Sequence, residues 1–457
     1  MKKSLIWCII ESGKGLKIML KRKITDTLTE WKASSEHNPL LIKGCRQCGK
    51  TFSVLEFAKN NYKHVIYLNF FENTSYSSIF SGPLEVDYLI TMMSALLGGS
   101  SQFIPHETVI ILDEIQECPE ARTALKFFKI DGRFDIIGTG SLLGVKGYGK
   151  KPKSVPVGYE TIIDMRPLDF EEFLWANDIS PQVINILKKC LAEEVPVPEA
   201  LHQKFRELLL IYTVVGGMPA AVSEYVHTHQ MNNVLAIQRN IVRDYEDDMI
   251  KYANEDDKPF IRQCFDSIPK QLAKENKKFQ YSIVRRKGTS AQFGGSLQWI
   301  EDAGIIYRCY NLSITELPLD GNAENTTFKV YMADTGLFIS MLEDGTQFDV
   351  LQGNLSGYKG AIFENLGADI LSKMGRKLYF FRKDSGLEID FILRYKGKAT
   401  LLEIKASTGY TKSTKTVLSH PEKYHVEQAL KLGDYNVGRN GQILTLPLYM
   451  GFLLTDY

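Results

Sequence analysis

A glycine-rich stretch between residues 44 and 51 carries the clearest chemical pattern in this 457-residue sequence. It reads Gly44-x-x-x-x-Gly49-Lys50-Thr51, follows an apolar run and precedes a segment with helical spacing. The glycines let successive backbone N–H groups point into one concavity, and the helix start adds its positive dipole end. Lys50 can reach the β- and γ-phosphates, and the Thr51 hydroxyl can bind Mg²⁺. We therefore predict a site for ATP and Mg²⁺, with further contacts from Cys45, Arg46, Gln47, Cys48 and Phe52.

Two adjacent carboxylates follow the next strongly apolar strand pattern. The stretch 108–112 is apolar after its first residue and ends in Asp113 and Glu114. Parallel sheets bind ligands at the carboxyl edge of their strands, so both side chains are expected at the nucleotide. We predict that Asp113 holds Mg²⁺ and that Glu114 polarises the attacking water. The alternative is a strand that runs into an acidic helix cap.

A further apolar strand, 135–138, ends in small hydroxyl residues. It is expected beside the Asp113 strand, where it would direct Thr139 or Ser141 at the γ-phosphate. A simple glycine- and serine-rich turn is the alternative for either residue.

The second group of candidate residues lies between 360 and 407. Glu364 is on an amphipathic helix pattern, and two strand patterns joined by Lys396-Gly397 predict a tight hairpin. If Tyr395 pairs with Lys398, Asp390 faces Glu403, and Lys405 lies on the same face. Facing carboxylates repel, so a divalent cation is the simplest compensation. Lys405 could then orient a water or stabilise developing charge. Two alternatives are a structural ion pair of Lys405 and a fold kept only for binding.

Composition places these groups in an ordinary globular chain. Hydrophobic residues make up 44% and charged residues 24%, and the net charge is +1, so any nucleic-acid surface must be a local patch. Seven scattered cysteines indicate reduced thiols and a cytoplasmic location, and no apolar run reaches membrane-spanning length. We interpret the Cys45–Cys48 pair as filler of the loop, with a metal or redox role disfavoured.

Alternating strand and helix patterns predict an α/β fold with a parallel sheet. We assign residues 1–18 to a tail or translated extension, 19–175 to the nucleotide domain, 176–340 to a helical lid and winged-helix-like region, and 341–457 to a third, α/β domain. Glycines at 216 and 217 should interrupt the helices.

A basic run precedes a helix, glycine cap and strand in the middle region. Its residues are Lys270, Lys274, Lys277, Lys278, Arg285, Arg286 and Lys287. The run could contact the phosphates of DNA or RNA, and a solvated helix face is the slightly favoured alternative.

Several motifs together resemble one family. They are residues Gly44–Thr51, Leu112–Glu117, Thr139–Gly144, Pro167–Leu174, Val215–Pro219 and Tyr331–Leu337. They are similar to the AAA-type P-loop ATPases of bacteria and archaea that carry a nuclease-like C-terminal domain. The resemblance implies an ASCE-type ATPase core with Asp113 and Glu114 in the roles given above. Tyr159 stands where related chains often have a basic residue, so no arginine finger is assigned, although Arg166 is a weak candidate.

The C-terminal hairpin resembles the PD-(D/E)xK nuclease fold. That resemblance implies that Asp390 and Glu403 are metal ligands and Lys405 the catalytic lysine. The leading hypothesis is an ATPase that controls a nuclease-like or DNA-binding module. The rival is a nucleotide-gated signalling or defence switch whose C-terminal part binds a protein partner and cuts nothing.

Overall fold

The computed structural model describes residues 10–11, 16–17, 19–99, 101–141, 158–252, 258–274, 277–354, 358–405 and 412–455. The expected tail 1–18 lies outside the described residues, except for two short antiparallel strands, β1 (Ile10–Glu11) and β2 (Leu16–Lys17). Residues 142–144, the end of the motif Thr139–Gly144, also lie outside them. No helix within these ranges is long and apolar enough to cross a membrane.

The first sheet has five parallel strands in the order β4-β5-β6-β3-β7, which confirms the predicted parallel α/β fold. Strand β5, inside this sheet, is buried along its whole length, as expected where helices cover both faces. The strands are β3 (Leu40–Lys43), β4 (His64–Asn69), β5 (Thr108–Asp113), β6 (Asp135–Gly140) and β7 (Thr161–Asp164). The accompanying helices are α1 (Ile24–Ala33), α2 (Lys50–Asn61), α3 (Val86–Leu97) and α4 (Pro119–Asp131), with 3-10 helices at Thr74–Phe80 and Ile115–Glu117.

A helical region follows the first sheet. Its helices are α5 (Phe170–Ala176), α6 (Pro181–Glu193), α7 (Glu199–Val215), α8 (Pro219–Thr228), α9 (Met231–Tyr252), α10 (Lys258–Leu272), α11 (Tyr281–Val284) and α12 (Ser290–Asp302). The chain breaks between α7 and α8 as predicted. A Cβ at Gly217 would lie 2.0 Å from the Leu168 carbonyl oxygen, so only glycine fits this turn.

The second sheet has eight strands of mixed direction in the order β14-β15-β13-β12-β11-β10-β8-β9. They are β8 (Ile306–Leu312), β9 (Ala323–Met332), β10 (Leu378–Arg382), β11 (Glu388–Tyr395), β12 (Lys398–Lys405), β13 (Ala429–Gly433), β14 (Gly438–Asn440) and β15 (Ile443–Pro447). The helices are α13 (Thr335–Ser340), α14 (Thr346–Gln352), α15 (Lys359–Lys373), α16 (Lys412–Leu418) and α17 (Pro421–Tyr424), with 3-10 helices at Leu319–Asn322 and Leu448–Leu453.

The division of the chain at residue 340 does not follow this sheet. Strands β8 and β9, assigned to the middle region from sequence, join the C-terminal strands because β8 pairs in parallel with β10. One hydrophobic cluster also contains Ile42 of β3, Phe205 of α7, Phe380 of β10 and Leu446 of β15. The nucleotide loop and the C-terminal sheet therefore share a continuous core.

Candidate functional site

The glycine-rich loop lies between β3 and the first residue of α2. Gly49 has a φ of 96°, and a Cβ at Gly44 would lie 2.0 Å from the Met165 carbonyl oxygen, so both positions require glycine. Lys50 is only 6% exposed, and its Nζ donates to the carbonyl oxygens of Gly44 and Cys45, 2.9 Å away in both cases. The ammonium group is therefore held against the loop that is expected to cradle phosphates.

Asp113 ends β5 beside the loop, surrounded by uncharged donors. Thr51 Oγ1 lies 3.1 Å from both carboxylate oxygens, Tyr67 Oη is 2.7 Å and Asn69 Nδ2 is 3.1 Å from Oδ2, and Thr139 also donates to the carboxylate. Burial and the Asp113 carboxylate raise the pKa of Tyr67, so this hydroxyl stays protonated as a donor. Hydroxyl and carboxylate oxygens are the ligands that Mg²⁺ prefers, so Thr51 and Asp113 fit the expected ion.

Glu114 follows Asp113 with a left-handed φ of 51°. Its Oε2 accepts a hydrogen bond from Gln116, and Ser141 Oγ lies 3.5 Å away. The predicted water-activating residue and the predicted serine are thus neighbours, whereas Thr139 contacts Asp113. Sequence reasoning missed Tyr67 and Asn69, although Asn69 ends the strand next to β5 and the same edge rule could have found it.

Arg22 supports the loop from outside the motif. Its Nη1 donates to the Cys48 carbonyl oxygen at 2.9 Å, its Nη2 donates to the Arg166 carbonyl oxygen at 2.6 Å, and its Nε pairs with Glu172 at 3.1 Å. Glu172 is fixed by a capping box with Asp169 at the start of α5. That capping pattern is readable in the sequence, but its contact with Arg22 is not.

Helix α9 reaches the loop from the helical region. Tyr245 Oη donates to the Arg46 carbonyl oxygen at 3.0 Å, Gln47 Nε2 donates to Asp244 at 2.5 Å, and Arg46 pairs with Asp248. The side chains of two predicted nucleotide contacts, Arg46 and Gln47, are therefore used to bind α9.

One cavity borders the loop and another lies along the helix that follows it. One of about 220 Å³ is lined by Gly44, Cys45, Ser141, Arg166 and Tyr307, among others. The Arg166 guanidinium lies over the Tyr307 ring, and its Nη1 is buried with no hydrogen-bond partner. A second cavity of about 610 Å³ lies along α2 and is lined by Phe52, 42% exposed, together with Leu20 and Trp175.

The C-terminal hairpin has the predicted register. Tyr395 pairs with Lys398, and continuing the observed ladder from Phe391–Leu402 by one step places Asp390 across from Glu403. Lys405 Nζ lies 2.6 Å from Glu403 and 4.0 Å from Asp390. Thr414 donates to the other Glu403 oxygen at 2.8 Å. Burial, with the nearby charges of Glu403 and Glu364, raises the pKa of Asp390 to about 7.

Glu364 lies near this hairpin, but lysines hold it. Lys329 Nζ is 3.0 Å from Glu364 and 2.8 Å from Glu388, and Lys277 and Tyr331 also contact the Glu364 carboxylate. Burial opposes ionisation of Glu364, but Lys329 and Lys277 outweigh it and lower its pKa to about 2. Sequence reasoning missed Lys329, although a lysine inside the otherwise apolar end of a strand was a readable signal.

These contacts do not fit a divalent cation at the hairpin. Both Glu403 oxygens are occupied by Lys405 and Thr414, and both Glu364 oxygens by lysines. Across the described part of the chain, no group of three histidine, cysteine or carboxylate side chains is arranged to hold a metal. The arrangement agrees with the ion-pair alternative.

Residues 36–174 match the model of a family described as an AAA domain. This part of the chain, which contains the glycine-rich loop, is similar to an AAA domain. Residues 206–347 and 359–449 of the same chain match two further models, each described as a domain of unknown function, and no curated protein sequence matches the chain.

Solved structures similar to the chain that carries this AAA domain include three nucleotide- or DNA-associated proteins. A Walker-type ATPase of Pyrococcus abyssi has 15% identity and a TM-score of 0.41, over 71% of this chain and 96% of that one. The ORC1 protein of Aeropyrum pernix, in complex with DNA, has 14% identity and a TM-score of 0.28, over 73% and 91%. AMPPCP-bound DnaA of Aquifex aeolicus has 12% identity and a TM-score of 0.26, over 61% and 86%.

Proposed function

We propose that the protein hydrolyses ATP with Mg²⁺ at the P-loop and passes the nucleotide state to a nucleic-acid-binding surface in its middle region. Lys50 and the loop amides would hold the β- and γ-phosphates, and Thr51 and Asp113 would hold Mg²⁺. The bound ion would neutralise phosphate charge. The exposed Phe52 ring and the cavity beside it would receive the base.

Glu114 is proposed to accept a hydrogen bond from the attacking water. As the water oxygen bonds to the γ-phosphorus, the bond between that phosphorus and the β,γ-bridging oxygen breaks. Gln116 and Ser141 keep the Glu114 carboxylate in place for this task. Electrostatic stabilisation comes from Lys50, whose ammonium group already points into the loop.

The observation that carries the coupling is the contact between α9 and the P-loop. Tyr245, Asp244 and Asp248 bind the same loop residues that a nucleotide would engage. Gln238, further back on α9, donates to the carbonyl oxygens of Val214 and Val215 at 2.8 and 2.9 Å. A change in the loop on nucleotide binding would therefore act directly on the helical region.

The proposed nucleic-acid surface consists of Lys270, Lys274, Arg285, Arg286 and Lys287, all of which are exposed. The helices α10, α11 and α12 followed by the β8–β9 hairpin have the element order of a winged helix, which supports this assignment. Phosphate contacts from such a patch would give salt-dependent binding. We propose no cleavage at the C-terminal hairpin, because Lys405 and Thr414 occupy the two oxygens of Glu403.

The experiment measures binding of labelled DNA and RNA without nucleotide, with ADP and with a non-hydrolysable ATP analogue. We expect affinity to differ between nucleotide states, and Tyr245→Phe to reduce that difference by removing one hydrogen bond to the loop. Tyr225→Phe, the same change at a buried tyrosine of α8, serves as the control and should preserve it.

A second pair of variants tests the surface. Arg285→Ala/Arg286→Ala/Lys287→Ala should weaken binding and flatten its salt dependence, whereas removal of Lys188, Lys189 and Lys204, also exposed, should not. If the protein hydrolyses ATP but binds no nucleic acid in any nucleotide state, the middle region is not a nucleic-acid-binding module. The rival function, a nucleotide-gated switch that binds a protein, would then stand, supported by the lysine-neutralised C-terminal site.

A further inference from the structure

Arg166 lies where the chain leaves β7 beside the P-loop. The preceding residue, Met165, donates its backbone N–H to the Lys43 carbonyl oxygen at 2.8 Å, and its own carbonyl oxygen packs against Gly44. Arg22 Nη2 donates to the Arg166 carbonyl oxygen at 2.6 Å. The backbone of Arg166 is therefore held next to the start of the loop, and its side chain extends from a fixed point.

The guanidinium group of Arg166 has an unpaired donor. Its Nη1 is buried, and no described residue accepts a hydrogen bond from it. Buried donors are almost always paired, so an unpaired one indicates a site that a ligand can complete. The guanidinium carbon lies 5.4 Å from the centre of the Tyr307 ring, which holds the planar group by its face and leaves its N–H edge for another partner. Carboxylates and phosphates are the usual partners of that edge.

The cavity of about 220 Å³ beside the loop contains both side chains of this stack. It is lined by Arg166 and Tyr307 together with Gly44, Cys45 and Ser141. The carbonyl oxygens of Gly44 and Cys45 are the two that bind the Lys50 ammonium group. The hydroxyl of Ser141 lies 3.5 Å from Glu114 Oε2. The cavity therefore adjoins the space between the groups proposed to hold the γ-phosphate and to act on the water.

The carboxylates that line this cavity have other partners. They are Asp164, which pairs with Lys43 at 3.3 Å, Glu301, which pairs with Arg308 at 2.8 Å, and Asp302, which accepts a hydrogen bond from Gln298 at 2.7 Å. Within the described ranges, Arg166 forms no ion pair with any of the three. Its positive charge is therefore available to an anion in the cavity.

We propose that Arg166 donates a hydrogen bond to the γ-phosphate of ATP bound by the same chain, and that the Tyr307 ring positions its guanidinium group. This inference rests on the proposed nucleotide site. As the bond between the γ-phosphorus and the bridging oxygen breaks, negative charge shifts toward that oxygen, and a donor fixed in advance stabilises the change. ADP has no γ-phosphate and would not engage Arg166. Because Tyr307 is on β8, the second sheet would also be in contact with the nucleotide through this pair.

The test uses the full chain and compares its affinities for ADP and for a non-hydrolysable ATP analogue, together with its rate of ATP hydrolysis. Arg166→Ala should weaken binding of the analogue about tenfold, leave ADP binding unchanged and lower kcat about 100-fold. A fold defect would weaken both nucleotides together, so the ratio of the two affinities isolates the contact with the γ-phosphate. Arg166→Lys keeps the charge without the planar fork, and its values should fall between those of the parent and Arg166→Ala.

Arg122→Ala is the matched control. Arg122, on α4, is also half-buried, but its guanidinium pairs with Glu160 at 2.5 Å, so the variant should keep the parent's ratio of affinities. Tyr307→Phe keeps the ring and should keep the parent's kcat, whereas Tyr307→Ala should lower kcat about tenfold without changing ADP affinity. This pair tests the same assignment if circular dichroism shows that Arg166→Ala does not fold.

The outcomes separate this inference from the proposed function. A ratio of affinities in Arg166→Ala equal to that of the parent would overturn the role of Arg166, and so would an equal loss for both nucleotides. The same kcat in Tyr307→Ala and Tyr307→Phe would overturn the role of the ring. A parent protein that binds neither nucleotide would instead reject the proposed nucleotide site, and this inference with it.

Discussion

The carboxylates at the P-loop and those at the C-terminal hairpin have opposite surroundings. Asp113 receives hydrogen bonds from Thr51, Tyr67, Asn69 and Thr139, none of which carries a charge. The C-terminal carboxylates Glu364, Glu388 and Glu403 instead face the ammonium groups of Lys277, Lys329 and Lys405.

Uncharged hydrogen-bond donors orient a carboxylate, whereas ammonium groups neutralise its charge. Uncharged donors fix the position of Asp113 and leave its negative charge available to a cation. The lysines at the hairpin fill the carboxylate oxygens and supply the opposite charge themselves. The acidic pairs Asp113–Glu114 and Asp390–Glu403, both predicted from sequence as metal or catalytic sites, therefore differ in their capacity to bind a cation.

The largest expected effect is on turnover at the P-loop. Glu114→Gln should retain ATP binding but lower hydrolysis about 100- to 10,000-fold, because only the water-activating group is lost. Phosphate release and nucleotide affinity, measured on the same preparation, test this. Equal turnover in the variant and its parent would remove Glu114 from its role.

Removing the P-loop ammonium group should act on binding instead. Lys50→Ala should lower ATP affinity about a hundredfold or more, because the phosphates lose a desolvated positive charge. Calorimetric titration with the ATP analogue measures this loss. Circular dichroism checks that the fold is retained, and normal affinity in a folded variant would contradict the assignment.

Breaking the C-terminal ion cluster should change stability rather than activity. Lys329 is 1% exposed, so Lys329→Met leaves Glu364 and Glu388 with a deficit of buried positive charge and should cost about 3–5 kcal/mol. Lys63→Met, which breaks an exposed pair with Glu107, is the matched control and should cost under about 1 kcal/mol. Denaturant unfolding compares the two, and equal costs would show that the buried cluster does not stabilise the fold.

The smallest effect distinguishes the ion pair from a metal site. The folded pKa of Asp390, about 7, exceeds its ordinary value of 3.8, so the folded state binds this proton more tightly. The contribution to stability is therefore present below pH 4 and lost as pH rises to 7. Asp390→Asn should match its parent near pH 4 and be more stable than its parent at pH 8, with the gain appearing as the pH rises from 4 to 7.

Divalent metal completes this test in a Lys50→Ala background, where nucleotide-bound metal does not interfere. We expect Mg²⁺ or Mn²⁺ to leave the melting temperature unchanged with either residue at 390. A metal-dependent rise that Asp390→Asn abolishes would restore the cation site expected from the sequence.

Local patterns made much of this predictable. The apolar run before the loop, the glycines within it and the helical spacing after it identify the P-loop, and the Lys396-Gly397 turn determines the hairpin register. Both depend on residues that are neighbours in the chain. The boundary at residue 340 could not show that β8 and β9 join the C-terminal strands, because strand order in a mixed sheet depends on pairings such as β8 with β10 that lie far apart in sequence.

The contacts that define each site's chemistry were not predictable in this way. Tyr245 meets Arg46 across 199 residues, and Lys329 meets Glu364 from a different element. Sequence pattern identifies which carboxylates are candidates, but the fold decides whether hydroxyls or ammonium groups surround them. Asp113 is surrounded by hydroxyl and amide groups, whereas Glu403 is paired with the Lys405 ammonium group.

The length of α9 has a mechanical consequence. Its 22 residues span roughly 33 Å, with Tyr245 and Asp248 bound to the P-loop near one end and Arg239 bound to the Ser340 carbonyl oxygen further back. A hydrogen-bonded helix resists compression, so a shift of the loop moves the whole rod along its axis. Binding of ATP would thereby displace α13, without successive rearrangements of the side chains between the loop and α13.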